Sequence, residues 1–246
     1  MMAPAKLTLS LRIIGVRSDG YHLIDAEMVA LGLADSLDID DAGDGLDVVD
    51  ETDESLDVVH ETDASVLGVS DPEQNLVTRA LRLTGRTAHV LLRKRIPAGA
   101  GLGGGSADAA AVLRWAGHTD PARAVTIGAD VPFCVIGGRA RVEGIGEIVT
   151  PLAHEQRQFT LLTPPIHCPT SAIYGAWDEL GGPLGANGND LEPAALAVAP
   201  DLARWRDDLG EATGMTPRLA GSGSSWFVEG AHPGARHTVV QAIPAC

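Results

Sequence analysis

A glycine-rich segment that runs into an alanine-rich stretch constrains this chain more than any other feature. Five of the seven residues in 99–105 are glycine, and Ser106 follows them. Glycine lets the backbone approach a ligand closely, and the N–H groups at a helix start are unpaired and carry partial positive charge. The segment therefore predicts a loop that binds phosphate at the start of a helix. A glycine-rich turn that only permits tight packing is the alternative.

Two common glycine-rich motifs do not fit this segment. Residues 99–104 satisfy the G-x-G-x-x-G pattern of dinucleotide-binding proteins, but that pattern should follow a nearly continuous apolar strand. Here residues 93–95 are all basic, and Pro97 breaks the strand. The Walker pattern fails as well, because no Gly-Lys-Ser/Thr follows the glycines. We therefore expect the loop to bind phosphate through its backbone alone.

The net charge of the chain is confined to one segment. The formal net charge is −15, and residues 35–73 hold fifteen of the 33 acidic residues and no Lys or Arg. The rest is neutral and has no basic stripe, which argues against a nucleic-acid-binding role. Within the segment, residues 46–55 and 56–65 match at eight of ten positions. We expect a solvated edge hairpin away from the phosphate loop; calcium binding is disfavoured because no EF-hand pattern is present.

Other classes of protein are disfavoured by what the sequence lacks. No apolar run approaches the roughly 18 residues of a membrane helix, and the first residues lack the apolar core of a signal peptide. The three cysteines include no close pair and the eight histidines form no metal-binding spacing, so neither a disulfide framework nor a zinc site is expected. We expect a cytoplasmic protein.

Hydrophobic periodicity and turn residues predict a mixture of strands and helices. Residues 6–14 alternate apolar with polar side chains and predict a half-buried strand, with Lys6 and Thr8 on the polar face. The polar stretch 152–158 predicts a boundary between two units. Further strands are predicted over 24–33, 89–96, 139–143 and 159–162, helices over 71–83, 171–180 and 191–209, and a strand–turn–strand pattern over 217–228.

The glycine-rich segment, Pro97-Ala-Gly-Ala-Gly-Leu-Gly-Gly-Gly-Ser-Ala, resembles the phosphate loop of the GHMP kinase superfamily, which includes galactokinase, homoserine kinase and mevalonate kinase. Other segments resemble one branch of it, which phosphorylates the cytidine diphosphate derivative of methylerythritol (CDP-methylerythritol) in non-mevalonate isoprenoid synthesis. These segments are Pro4–Leu11, Asp19–Leu23, Gly128–Phe133, Gly144–Glu147 and Arg218–Ser224. In this order they cover the chain from about residue 4 to about residue 229.

The resemblance implies an α+β fold with two domains, a ribosomal S5-like one over 1–155 and a ferredoxin-like one over 156–246, and an active site between them. It implies a kinase that uses ATP, with Mg²⁺ bound to the nucleotide, to phosphorylate the 2-hydroxyl of CDP-methylerythritol. This small molecule is the implied partner, with no nucleic acid or membrane, and a homodimer is left open. Another small-molecule kinase of the superfamily and a non-catalytic nucleotide-binding module remain as alternatives.

The resemblance also implies roles for two charged residues. Asp130 would be the base that takes the proton from the acceptor hydroxyl, and Lys6 would hold Asp130 ionised and aligned. From the residues alone, Asp130 could instead be a helix N-cap or a turn aspartate, and Lys6 could be an exposed strand lysine. Lys6 and Lys94 are the only lysines among eighteen basic residues, which is consistent with a need for a compact ammonium at both positions.

The remaining implied site residues fall into two groups. For the nucleotide they are Pro97, Ala98, Gly99, Ala100, Gly101, Leu102, Gly103, Gly104, Gly105, Ser106, Ala107, Asn75 and Lys94, with Asp108 as a weaker candidate. For the substrate they are Tyr21, His22, Thr8, Tyr174, Gly221 and Ser222. Tyr21, His22 and Tyr174 would contact the cytosine ring, since a base offers flat faces to aromatic side chains. No metal ligand is predicted. Thr8 stands where the branch usually carries Asn, and the span 111–128 is shorter than expected.

Overall fold

Two long strands that pair with each other open the chain, β1 (Met2–Val16) and β2 (His22–Asp40). They are part of a computed structural model that describes residues 1–52, 57–59 and 74–245. The predicted half-buried strand is wrong for the middle of β1, because Lys6 and Thr8 on its polar face are also buried. This face of β1 forms part of a cleft, whereas the opposite face packs in the core.

The first sheet contains β1, β2 and five further strands in the described part of the chain. These are β3 (Gly45–Asp50), β4 (Asp57–Val59), β5 (His89–Lys94), β6 (Arg139–Gly144) and β7 (Ile148–Leu152). The order is β4-β3-β5-β2-β6-β7, and β1 pairs with β2 beside this path. Only β3 and β5 are parallel within it. The antiparallel β3–β4 hairpin lies at the sheet edge, as the repeated Leu-Asp-Val-Val sequence predicts.

Four helices of the described residues belong to the first unit, namely α1 (Leu76–Thr84), α2 (Gly104–Trp115), α3 (Pro121–Ala124) and α4 (Val131–Ile136). The α1 helix begins later than predicted, because the Asn75 side chain accepts a hydrogen bond from the Val77 N–H and caps it there. The predicted residues 71–73 lie outside the described residues. Alanines at positions 107 and 109–111 are buried, and their small side chains let α2 pack closely on the sheet.

The second unit has four antiparallel strands in the described chain, ordered β11-β8-β10-β9. Its strands are β8 (Gln158–Leu162), β9 (Arg218–Leu219), β10 (Trp226–Glu229) and β11 (His237–Gln241), and its helices are α5 (Thr170–Glu179), α6 (Glu192–Val198) and α7 (Leu202–Thr213). The single helix predicted over 191–209 is wrong, since the chain leaves the helical conformation at Ala199, just before Pro200. The α+β class is confirmed.

The two sheets share a core across β1. Leu7 and Leu9 of β1 pack in one cluster with Phe159 of β8 and Phe227 of β10. The strand is therefore held between the units, with its apolar face on the second sheet and its polar face toward the cleft. Among the described helices, none combines the length and apolar character that a membrane crossing requires.

Candidate active site

The glycine-rich loop connects β5 to α2, as the sequence predicts. Gly103 occupies the N-cap position of α2 in the left-handed conformation and offers no side chain to cap the helix. The loop lines a cleft of about 320 Å³. The predicted site residues that line this cleft are Lys6, Asn75, Lys94, Pro97, Ala98, Gly99, Ala100, Gly101, Gly103, Gly104, Gly105, Ser106, Asp130 and Ser222. Leu102 and Ala107 are instead buried in the core. An uncapped helix start facing a cleft can bind an anion.

A second glycine loop, residues 220–225, packs directly on the first. Gly101 has a φ of +76°, and a Cβ there would lie 2.2 Å from the Ala220 carbonyl oxygen and 2.8 Å from the Gly223 carbonyl oxygen. The Ser225 N–H also donates a hydrogen bond of 3.1 Å to the Ala100 carbonyl. Only glycine at position 101 permits this approach, so the two loops form one wall of the cleft.

Lys6 and Asp130 meet in this cleft although they are far apart in the sequence. The Lys6 Nζ lies 3.3 Å from the Asp130 Oδ2 and donates a hydrogen bond of 3.1 Å to the Thr8 hydroxyl. The Lys6 side chain is only 5% exposed, whereas the Asp130 side chain is 31% exposed and can reach a ligand. The Lys6 N–H donates to the Leu102 carbonyl at 2.9 Å, which ties β1 to the phosphate loop.

The interpretation of Lys6 as an exposed strand lysine is wrong, and the Asp130 side chain does not cap a helix, although Asp130 lies in the turn before α4. Asp130 does stand at the N-cap position of α4, but its side chain makes no capping hydrogen bond there. It is paired with Lys6, which is itself buried rather than exposed. A buried lysine and a partly exposed carboxylate therefore stand side by side in the cleft.

Burial raises the pKa of the Tyr174 hydroxyl, with a smaller contribution from the negative charge of Asp130.

A second charged cluster lies beside the loop. The Lys94 Nζ donates hydrogen bonds to Asp35 and, at 2.7 Å, to Asp108, and all three residues are buried. Burial raises the pKa of Asp108 to about 7, although the charge of Lys94 opposes this. Asp35 is the first residue of the acidic segment, and sequence reasoning missed it. The β2–β5 pairing brings Asp35 to the chain that leads into the loop, unlike the repeat 46–65, which we expect to lie away from it.

The aromatic residues predicted to contact a base are only partly brought together. The His22 ring lies 4.8 Å from the Tyr174 ring and 5.4 Å from the Trp177 ring, measured between centroids. Its Nε2 is 2.8 Å from an oxygen of Asp178. Tyr21, by contrast, is exposed and lies beside Arg17. These side chains form a group between the start of β2 and α5, outside the lining of the cleft described above.

The second glycine loop is held by a residue that sequence reasoning did not select. The buried Asn189 side chain donates hydrogen bonds to the carbonyls of Leu219 (2.9 Å) and Gly221 (2.7 Å). A Cβ at Gly221 would lie 3.1 Å from the Lys6 Nζ, so this loop also borders the Lys6–Asp130 pair. The Ser222 hydroxyl lies 3.1 Å from the Thr170 hydroxyl. The only local signal for Asn189 is its place in a Gly/Asn-rich stretch.

Comparison with known proteins agrees with this geometry. Residues 75–138, which contain α1, the loop and Asp130, match the model of the GHMP kinases N terminal domain. A 4-diphosphocytidyl-2-C-methyl-D-erythritol kinase from Thiobacillus denitrificans is 35% identical, covering 98% of this chain and 90% of the relative.

Solved structures give the same result for the fold. A crystal structure of 4-(cytidine 5'-diphospho)-2C-methyl-D-erythritol kinase has a TM-score of 0.69 and 30% identity, covering 92% of this chain and 88% of that one. The L. major mevalonate kinase has a TM-score of 0.64 at 13% identity, covering 99% and 95%, which is a likeness of fold alone. The identity and coverage place the chain, with its GHMP kinase fold, in the family of 4-diphosphocytidyl-2-C-methyl-D-erythritol kinases.

Proposed function

We propose that the chain transfers the γ-phosphoryl group of ATP to the 2-hydroxyl of CDP-methylerythritol, in non-mevalonate isoprenoid biosynthesis. The observation that carries the reaction type is the Lys6–Asp130 pair, which opens into the same cleft as the uncapped start of α2. A phosphate held at the helix start and an acceptor hydroxyl held at the carboxylate would then face each other. Phosphoryl transfer needs little more from a protein than such positioning and charge stabilisation.

Each group has a definite task in this reaction. Asp130 accepts the proton of the acceptor hydroxyl. The hydroxyl oxygen bonds to the γ-phosphorus while the bond between that phosphorus and the ADP oxygen breaks. Lys6 offsets the negative charge that spreads over the transferred group and keeps the Asp130 carboxylate aligned. The Thr8 hydroxyl holds the Lys6 ammonium from one side. The N–H groups at the start of α2 bind phosphate oxygens of the nucleotide.

We propose that Mg²⁺ enters with the nucleotide. The two carboxylates that line the cleft, Asp108 and Asp130, are each paired with a lysine. Within residues 1–52 and 74–245, no group of three or more metal-binding side chains comes together. Such a lining would suit an ion held mainly by phosphate oxygens of the nucleotide, with Asp130 as the protein group available to it. The ion would supply neutralisation of phosphate charge.

The group around His22 is where we propose that the cytidine end of the acceptor binds. Tyr174 and His22 already lie against each other, and the Tyr21 ring, beside Arg17, is exposed. Ser222 and Gly221 border Lys6 and would contact the polar end of the acceptor. We further propose a domain boundary at 155/156, a cytoplasmic location, and action on small molecules without nucleic acid or membrane. Sedimentation analysis would decide between a monomer and a homodimer.

An ADP-release assay with Mg-ATP tests this function. CDP-methylerythritol should be turned over, whereas mevalonate, homoserine and galactose should not be. Phosphorus NMR of the product should show a new phosphomonoester at the 2-position. Turnover of one of the other acceptors would favour a different kinase of the superfamily. No turnover of any acceptor by folded protein that binds Mg-ATP would favour a non-catalytic nucleotide-binding module and contradict the proposal.

A further inference from the structure

The most unusual buried group outside the Lys6–Asp130 pair is Asp35. It is fully buried on β2, and both of its oxygens are used. Oδ2 accepts a hydrogen bond from the Lys94 Nζ, while Oδ1 accepts from the backbone N–H groups of Arg95 (2.5 Å) and Ile96 (2.8 Å). One carboxylate thus holds the last residue of β5 and the first two residues of the chain that leads into the phosphate loop.

The far end of the loop is held by the same ammonium. The Lys94 Nζ also donates a hydrogen bond of 2.7 Å to Asp108 on α2, and a Cβ on Gly104 would lie 3.1 Å from this nitrogen. Lys94 therefore connects both ends of the loop. Burial opposes a charge on Lys94, but the carboxylates of Asp108 and Asp35 outweigh it and raise the pKa of Lys94 above its usual value.

Stability alone is a poor reason for such a cluster. Removing three charged groups from water costs free energy that their attraction often fails to recover, and well-packed apolar residues can replace buried ion pairs without loss. The cluster does fix one geometry, because Lys94 is bound to both carboxylates. An ammonium has three hydrogen-bond donors. Two of those of Lys94 go to Asp35 and Asp108 among the described residues, and Lys94 itself lines the cleft.

We propose that Asp35 is a positioning residue for nucleotide binding, which acts through Lys94 and the N–H groups of Arg95 and Ile96 to fix the phosphate loop and aim one Lys94 donor into the cleft. Asp35 makes no contact with substrate in this role. The inference rests on the proposed function in one respect, which is that ATP binds in this cleft. It does not depend on which acceptor the enzyme phosphorylates.

Direct binding of Mg²⁺ and a non-hydrolysable ATP analogue, measured by titration calorimetry, tests this role. Asp35→Asn keeps an acceptor for the two N–H groups but removes the charge that holds Lys94. We expect the dissociation constant to rise about tenfold or more, the equivalent of one charge-assisted hydrogen bond. The KM for ATP should rise similarly, whereas the KM for CDP-methylerythritol should stay within about twofold, a split that general loosening of the fold would not produce.

A double-mutant cycle with Lys94→Met shows whether Asp35 acts through Lys94. If it does, Asp35→Asn should weaken binding much less in the Lys94→Met background than in the wild type. The matched control is Asp38→Asn, which removes an exposed carboxylate paired with Arg93 on the same two strands and should leave analogue binding unchanged.

Three results would overturn the proposal: unchanged analogue affinity in folded Asp35→Asn, fully additive effects of the two substitutions, or an equal rise in both KM values. Should Asp35→Asn fail to fold, Asp35→Glu keeps the charge while displacing the carboxylate, and is held to the same binding test. This test measures nucleotide binding and needs no acceptor. If the acceptor assay failed, the binding measurements would still decide the role of Asp35.

Discussion

The pairing of Asp130 with a buried lysine is the residue-level feature on which the proposed chemistry depends. Asp130 stands at a helix start where its side chain could have bonded to a backbone N–H, yet it points to Lys6 instead. Lys6 is held by Thr8 and by the backbone of the phosphate loop. The carboxylate is therefore positioned by tertiary contacts rather than by its own helix.

Replacing Asp130 by Asn removes the proton acceptor while keeping the size of the side chain. We expect the turnover number of Asp130→Asn to fall by at least about a hundredfold, the low end of general acid–base contributions. Binding of a non-hydrolysable ATP analogue should change little, whereas the melting temperature should fall somewhat, because the buried Lys6 ammonium loses its counter-charge. Near-normal turnover in this variant would exclude Asp130 as the base.

Asp108 should make the stability of the protein depend on pH. Burial raises its pKa to about 7 from the ordinary value of 3.8. Its neutral form is favoured by folding, so this contribution is fully present below the unfolded pKa and is lost as the pH rises to about 7. Asp108→Asn imitates the neutral form. Its melting temperature should therefore fall less than that of the wild type between about pH 4 and about pH 8.

The control for this pH effect is Asp208→Asn, at an exposed position on α7. Its melting temperature should follow the wild-type pH profile. Parallel profiles for the wild type and Asp108→Asn would show that Asp108 does not titrate in this range.

At the scale of elements, the cleft depends on two glycine loops that touch through their backbones. The first connects β5 to α2, and the second connects β9 to β10. They meet where Gly101 faces the carbonyls of Ala220 and Gly223. Asn189, between α5 and α6, holds the second loop through two more carbonyls. The geometry of the wall is therefore set by backbone contacts, which a sequence pattern reveals only as an excess of glycine.

Gly101→Ala tests this contact against a matched control. The added methyl group would lie 2.2 Å from the Ala220 carbonyl oxygen. The left-handed φ of +76° would lower the free energy of unfolding by a further amount of about 1–2 kcal/mol. Gly117→Ala carries the same backbone penalty at φ +75°, with nothing within 4 Å of the added Cβ. Both variants should lose melting temperature in thermal unfolding, but only Gly101→Ala should also lose kcat/KM. Equal kcat/KM in the two variants would contradict a role for the loop contact.

At the scale of the whole molecule, the negative charge is distributed in a way that leaves the cleft usable for anions. Part of the acidic segment faces the basic residues of β5 and the loop, with Asp38 paired to Arg93 and Glu51 to Arg95. Such exposed pairs add little stability. They do place opposite charges together, so the acidic segment does not simply repel a nucleotide from the adjacent cleft.

Deleting residues 56–65 reduces the tandem repeat to one copy. In the described residues this removes β4, which lies at the sheet edge and pairs with β3 alone; the rest of the second copy lies outside them. We expect kcat and both KM values to stay within about twofold, since none of the described residues that line the cleft belongs to the repeat. A large loss of activity in the folded deletion variant would show that the repeat contributes to the site.

The sequence by itself determined the parts that depend on neighbouring residues. The glycine-rich loop, the alanine-rich helix after it and most strands follow from local periodicity and turn chemistry. Only the tertiary structure decided that Lys6 is buried, that Asp35 is buried against Lys94, and that Asn189 supports the second loop. Each of these depends on which distant strands pair and which faces a cleft covers. Contacts of that kind are fixed by packing across the whole chain, and short sequence patterns do not encode them.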